Sequence, residues 1–362
     1  MPGVALAPRW DSGVSSTGGS SPESGESRSA TTGSTCSSSV SSEGTYLRRP
    51  VTKKHLESGS TRELEWVTAW MQGWRSHQED AHTVEVDLFN TPHDPVKMFA
   101  VYDGHGGDQV SQLCADELPD RIRAAAHGRS KTSLKSAISR AVISLDEDLI
   151  SRSFAHIRSR SPGSTAVIAL VTSDMLLVGN VGDSRALACR RGKLVALTRD
   201  HLVNLPGEMA RIQRAGGSVE SDSGDYRVGG LAMSRAIGDI TIKDKPGLPR
   251  KDQPVIADPE FTAIPFVPAL DFLVVACDGI FEKLNNAQVI KHVKRGLAKG
   301  LALPVIASSL LDRCLASRNS ATSLGRDNMS LIIVQFKHPL PSTTTGGTVF
   351  TRSRSRSISD SP

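Results

Sequence analysis

Two apolar runs in this chain end in the same way. Met98 to Tyr102 leads into Asp103-Gly104, and Phe272 to Cys277 leads into Asp278-Gly279. Runs of this length and composition predict strands. Each strand therefore hands a carboxylate to a turn at the point where regular pairing stops. Behind Asp103, the glycines Gly104, Gly106 and Gly107 let the backbone turn sharply with little side-chain obstruction. A carboxylate, a carbonyl and an imidazole emerge together there. Asp103 is able to bridge two cations, the Gly104 carbonyl to add an oxygen ligand, and His105 to donate a proton near neutral pH.

Residues 1–58 of the 362 are dominated by Ser, Thr and Gly with almost no paired apolar positions. Such a segment cannot offset the entropy of ordering, so a disordered arm is expected. The folded domain is expected over 59–338, followed by a disordered tail over 339–362 with an Arg-Ser run. The net charge of +5 owes much to that run and to the cluster from Arg48 to Lys54. Solvated surface charge explains it, and nucleic acid is not an expected partner. The five cysteines are scattered without metal-type spacing, and four sit in apolar runs as small core residues do. A reducing, intracellular setting, cytoplasmic or nuclear, fits that usage. No apolar stretch is long enough to cross a bilayer, and no basic start precedes an apolar core, so no membrane role is expected.

Alternation at Leu64, Trp66, Thr68 and Trp70 predicts a half-buried strand, and Val84, Val86 and Leu88 predict another. Trp74 to His82 is then expected as a turn between two paired strands, carrying Arg75, Glu79 and Asp80. Val110, Leu113, Cys114 and Leu118 recur at helical spacing until Pro119 ends or kinks the helix. Leu134, Ile138, Ala141, Val142, Leu145 and Leu149 form one stripe of a second helix suited to lying on a sheet. Short strands follow from Ser164 to Leu197, their tight connections implying antiparallel neighbours. A short helix is expected over Pro206 to Ala215, a mobile loop over Gly216 to Gly230, and two more helices before a last strand from Met329 to Phe336.

Asp103, Asp183, Asp278 and Asp327 each lie at the edge of an apolar strand, and Glu79 lies in a turn between two. That placement suits oxygen ligands gathered from several strand ends for a hard cation such as Mg²⁺ or Mn²⁺. Taken singly, each aspartate is better explained by the preference of Asp for turns and strand ends.

Taken together, they stand within a series of motifs that runs along the chain in order. The run includes Met71-Gln72-Gly73-Trp74-Arg75 with Glu79-Asp80-Ala81, Val101-Tyr102-Asp103-Gly104-His105-Gly106-Gly107, and Gly163-Ser164-Thr165-Ala166. It continues through Val181-Gly182-Asp183-Ser184-Arg185, the stretch from Leu231 to Asp239, Ala276-Cys277-Asp278-Gly279, and Arg326-Asp327-Asn328-Met329. These motifs resemble those of the metal-dependent serine/threonine protein phosphatases of type 2C, and the resemblance spans about Leu64 to Phe336. It implies an α+β fold in which two antiparallel sheets pack as a sandwich flanked by helices, with a two-metal site at one end. By the same resemblance Asp103 bridges two Mg²⁺ or Mn²⁺ ions, Glu79 and the Gly104 carbonyl complete one side, and Asp278 with Asp327 the other. Asp183 corresponds to a ligand of a weaker third ion. Two such cations acidify a shared water for in-line attack on phosphorus. Arg75 matches the phosphate-binding arginine, and His105 the acid that protonates the departing alkoxide. Phosphorylated proteins are the implied substrates, and a monomer is expected.

Simpler roles compete for two of these side chains. Arg75 could pair with Glu79 or Asp80 on the surface, and His105 could be a hydrogen-bonded turn histidine. Asp80, Thr165, Ser184, Asp239 and Asn328 are expected to orient ligands and backbone. The family pattern Trp-Asp after Ile280 is replaced by Phe281-Glu282, which lengthens a supporting carboxylate near the third ion by one methylene. Leu202 to Gly207 and Ser221 to Gly230 also depart from the family pattern on the substrate-facing flap. A pseudophosphatase that binds phosphoproteins without hydrolysis is the alternative function; it predicts degraded ligands, and the principal ones are intact.

Overall fold

The computed structural model describes residues 46–91, 93–151, 161–222, 224–243, 245–265, 270–320 and 323–337. Two antiparallel sheets form its centre. One runs in the order Glu260–Pro265, Met175–Val181, Ala166–Val171, Lys97–Tyr102, Ala81–Glu85. The other runs Lys193–Ala196, Arg185–Arg190, Leu270–Ala276, Met329–Phe336, Leu64–Met71, His55–Ser60. The two-residue period of Lys97–Tyr102 sorts its side chains between layers. Met98, Ala100 and Tyr102 pack under helices α1 (Gln109–Ala125) and α2 (Lys131–Ser151), while Phe99 and Val101 enter the core shared with the second sheet. Phe99 meets Trp66 across the sandwich with ring centroids 6.2 Å apart. Burying such a ring contributes about 1.5–3 kcal/mol. The outer face of the second sheet is covered by α4 (Asn286–Ala298) and α5 (Leu303–Cys314), so the α+β sandwich with flanking helices is the observed fold.

Several expectations need correction. The arm expected to be disordered through residue 58 contains two strands, Tyr46–Val51 against Gly73–Arg75 and His55–Ser60 along the edge of Leu64–Met71. Edge pairing and the stacking of His55 on Trp70, centroids 5.0 Å apart, hold a segment that has no apolar face of its own. Residues 1–45 and the tail from 338 lie outside the described residues. Trp74 to His82 does not join paired strands; it crosses from one sheet to the other, since Leu64–Met71 and Ala81–Glu85 belong to different sheets. Gly216 to Gly230 holds a hairpin, Val219–Asp222 with Asp225–Val228.

Pro119 does not end α1. It lacks the N–H that would bond the Ala115 carbonyl four residues back, and the Thr83 hydroxyl donates to that carbonyl instead, at 3.2 Å. The helix thus runs on to Ala125. Four cysteines, Cys114, Cys189, Cys277 and Cys314, are free and buried, as expected of core residues. Among the described residues no helix is long and apolar enough to cross a membrane.

Candidate active site

Both Asp-Gly turns stand at one end of the sandwich, and in each the glycine is required by a backbone that approaches it. A Cβ on Gly104 would lie 2.2 Å from the Glu79 carbonyl oxygen, and one on Gly279 would lie 1.9 Å from that of Asn328. The absence of a side chain thus lets the segment carrying Glu79 and Asp80 close on Asp103, and the segment carrying Asp327 close on Asp278. Gly104–His105 adds a short three-stranded sheet with Gly163–Ser164 and Ile237–Gly238. Around Asp103 the backbone is pinned twice: Thr165 N–H donates to its carbonyl at 2.9 Å, and its own N–H donates to Thr165 Oγ1 at 3.1 Å. Ser184 Oγ holds Thr165 Oγ1 at 2.8 Å. Asn328 ties the third segment in, its Oδ1 accepting from Glu79 N–H at 2.9 Å and its Nδ2 donating to the carbonyls of Gln72 and His77.

Carboxylates converge on this frame with little positive charge to meet them. One ligand atom each from Asp80, Asp103 and Cys277 fall within 4.8 Å of one another. Burial, then repulsion from Asp80, Asp278, Asp327 and Asp183, holds Asp103 well above the usual carboxylate range. Burial and the charges of Asp183, Asp327 and Glu282 do the same to Asp278. Burial pushes Asp80 and Asp183 up to about 6. Neither carboxylate oxygen of Asp80 nor Oδ1 of Asp183 makes a hydrogen bond in the structure. Buried charge without a counter-charge costs several kcal/mol per group, so this arrangement is stable only with protons or cations supplied. The Cys277 sulfur is engaged by backbone, accepting from Ser330 N–H at 3.1 Å and facing the Asn328 carbonyl at 3.6 Å. An oxygen donor set remains, which fits a hard divalent cation.

Three of the expected residues sit around the rim. The Glu79 carboxyl is half-buried outside the tight group; burial raises its pKa, and Arg75, His105 and His77 are its nearest positive neighbours. The Arg75 guanidinium is paired with Asp327 through Nη2 and lies 5.6 Å from the Tyr46 ring centre, while its Nε is buried without a partner. His105 Nε2 is 2.8 Å from Asp239 Oδ2. Burial pulls the imidazole pKa down, but Asp239 outweighs it and the net shift is upward. Asp239 reaches the ring from a left-handed backbone conformation, φ 52°, and Asp146 accepts from the preceding Gly238 N–H at 2.8 Å.

A family profile described as Protein phosphatase 2C matches residues 67–323. The chain belongs to the protein phosphatase 2C family. Protein phosphatase 2C homolog 2 of Schizosaccharomyces pombe is 38% identical over 301 residues, covering 82% of this chain and 79% of that one. Probable protein phosphatase 2C 60 of Arabidopsis thaliana is 35% identical over 345 residues, covering 83% and 94%. The crystal structure of a phosphatase from a pathogenic strain of Toxoplasma gondii superposes with a TM-score of 0.67 at 27% identity, covering 79% of this chain and 96% of that one. The sandwich and the enzyme class, a metal-dependent protein serine/threonine phosphatase, follow from that membership.

In this phosphatase the longer side chain of Glu282 has a visible use. Its Oε2 accepts from Gly325 N–H at 2.7 Å and Arg326 N–H at 3.1 Å, holding the loop that presents Asp327. The flap, the segment around α3 (Pro206–Arg214) and the hairpin after it, is built on a second buried acid. Glu208, on α3, accepts from Arg211 at 2.5 Å, Ser234 at 2.7 Å and Arg235 at 2.6 Å, and these donors overcome burial to bring its pKa down to about 2. Sequence reasoning missed this network, although Glu208 and Arg211 have the i,i+3 spacing that marks a pair. It also missed Tyr46, whose strand has no apolar pattern.

Proposed function

We propose that this enzyme hydrolyses phosphoserine and phosphothreonine monoesters of proteins, with Asp103, Asp278, Asp327, Glu79 and the Gly104 carbonyl holding two Mg²⁺ or Mn²⁺ ions. The observation that carries this reading is the convergence of Asp80, Asp103, Asp183 and Asp278, four carboxylates removed from water and short of positive charge. Asp183 would serve a weaker third ion. Bound there, divalent cations supply Lewis-acid polarisation of the phosphoryl group and acidification of water.

The chain's own groups supply the rest. Water attacks phosphorus opposite the ester oxygen, and the P–O bond to serine or threonine breaks. Arg75, released from Asp327, turns its planar fork to two phosphoryl oxygens, whose charge rises toward the transition state. His105, kept protonated by Asp239, gives its proton to the departing alkoxide. Thr165 and Asn328 fix the backbones that carry these groups.

The test is hydrolysis of a phosphothreonine peptide with Mn²⁺ and with chelator. Turnover should appear only with metal, and Asp278→Asn should reduce it by on the order of 10³-fold. Metal-independent turnover, or none from folded wild-type protein, contradicts the reading. No observation favours binding without turnover, because every principal carboxylate is present.

A further inference from the structure

Remote from the carboxylates, α4 and α5 enclose a cavity of about 250 Å³. A Cβ on Gly296 would fall 2.5 Å from Ile306 Cγ1, so the two helices touch at that point. Gly296, Ile306 and Leu301 give an apolar floor, and Arg295, Lys299 and Arg313 stand around it. Leu301, part of that floor, is 42% exposed.

No carboxylate among the described residues pairs with Arg295, Lys299 or Arg313. The neighbouring acid, Asp312, is taken by Lys54 at 2.6 Å. His292 adds no counter-charge. Its Nδ1 accepts from Arg313 Nη1 at 2.9 Å and its Nε2 faces Ser309 Oγ at 2.9 Å and the Ile306 carbonyl, so the ring is neutral with its proton on Nε2. Isolated surface cations need no explanation. Three that line a concave apolar floor with an exposed Leu301 and without an internal anion have the complement of a ligand that is both acidic and apolar.

We propose that this cavity docks an acidic peptide segment carrying an apolar side chain, supplied by the phosphorylated protein substrate. The apolar side chain would cover Leu301 and Ile306, and flanking Asp or Glu would meet Arg295, Lys299 and Arg313. Its role in recruiting substrate rests on the phosphatase reading above; the binding does not.

Two measurements separate these. Fluorescence anisotropy of a labelled hexapeptide of alternating glutamate and leucine, free of phosphate, should show saturable binding to the full chain. The Kd should rise at least tenfold in Arg295→Glu/Lys299→Glu and severalfold in the milder Arg313→Gln, with unchanged circular dichroism. Equal binding of a glutamate-only hexapeptide, displacement by equimolar inorganic phosphate, stronger binding to phosphatidylserine vesicles, or no effect of the substitutions would each overturn the proposal. The second measurement joins that hexapeptide by a flexible linker to a phosphothreonine peptide. The extension should lower KM about fivefold for wild type and leave it unchanged for the double variant, while p-nitrophenyl phosphate turnover stays equal in both. If wild type hydrolyses neither substrate yet binds the hexapeptide, the enzymatic reading fails and the docking site stands.

Discussion

Two buried acidic centres in this molecule are held in opposite ways. At the end of the sandwich, Asp80, Asp103, Asp183 and Asp278 face one another with pKa values pushed upward by burial and mutual repulsion. In the flap, Glu208 is as inaccessible as Asp80, yet two guanidinium groups and a hydroxyl bring its pKa down to about 2. The difference lies in the partners. One centre is electrostatically closed within the chain and serves to fasten the flap. The other is open, and its charge balance has to come from outside.

Opposite responses to neutralisation would sharpen this contrast. Glu208→Gln leaves Arg211 and Arg235 buried without their anion, and urea denaturation should show a loss of about 3–5 kcal/mol. A loss below about 1 kcal/mol would mean the flap centre does not depend on its charge.

A smaller effect concerns pH and metal. Asp80 has a folded-state pKa of about 6 against an ordinary 3.8, so its contribution is fully present below pH 3.8 and is lost as pH rises through 6. The metal-free protein should therefore carry a penalty on the order of 2–3 kcal/mol from this group above pH 6. Mn²⁺ should raise Tm more at pH 7.5 than at pH 5, measured by scanning fluorimetry. Glu208 runs the other way: its stabilisation is present above pH 4.5 and lost as pH falls through 2. A metal-induced Tm shift that is equal at both pH values would break the comparison.

The smallest effect has the opposite sign from Glu208→Gln. Asp278→Asn removes one repelling charge and should stabilise the metal-free protein by about 1 kcal/mol at pH 7.5, seen as a higher urea midpoint. Destabilisation of the metal-free protein would show that Asp278 is held by donors within the chain.

Much of this was legible in the chain because apolar period and turn chemistry agree locally. Lys97–Tyr102 and Met329–Phe336 are strands by composition alone, and the stripe from Leu134 to Leu149 is a helix that covers a sheet. What escaped depends on partners distant in sequence. Tyr46–Val51 and His55–Ser60 carry exposed charged or polar residues and are strands only because an edge is available to them. Pro119 is tolerated because Thr83 supplies the donor that proline lacks. At the site, the Asp-Gly repetition marks two turns that the fold brings to one end of the sandwich. That Asp80 lies in the tight group while the adjacent Glu79 carboxyl faces Arg75 and His105 depends on an irregular backbone, which no periodicity encodes.

The central claim is that the carboxylate cluster is completed by divalent cations. Isothermal titration calorimetry of the metal-free full chain with Mn²⁺ at pH 7.5 addresses it directly. The account predicts saturable binding of two ions, with most of the heat abolished by Asp103→Asn and none of it by the flap substitution Glu208→Gln. Absence of binding at millimolar Mn²⁺, or binding that Asp103→Asn leaves unchanged, would contradict it.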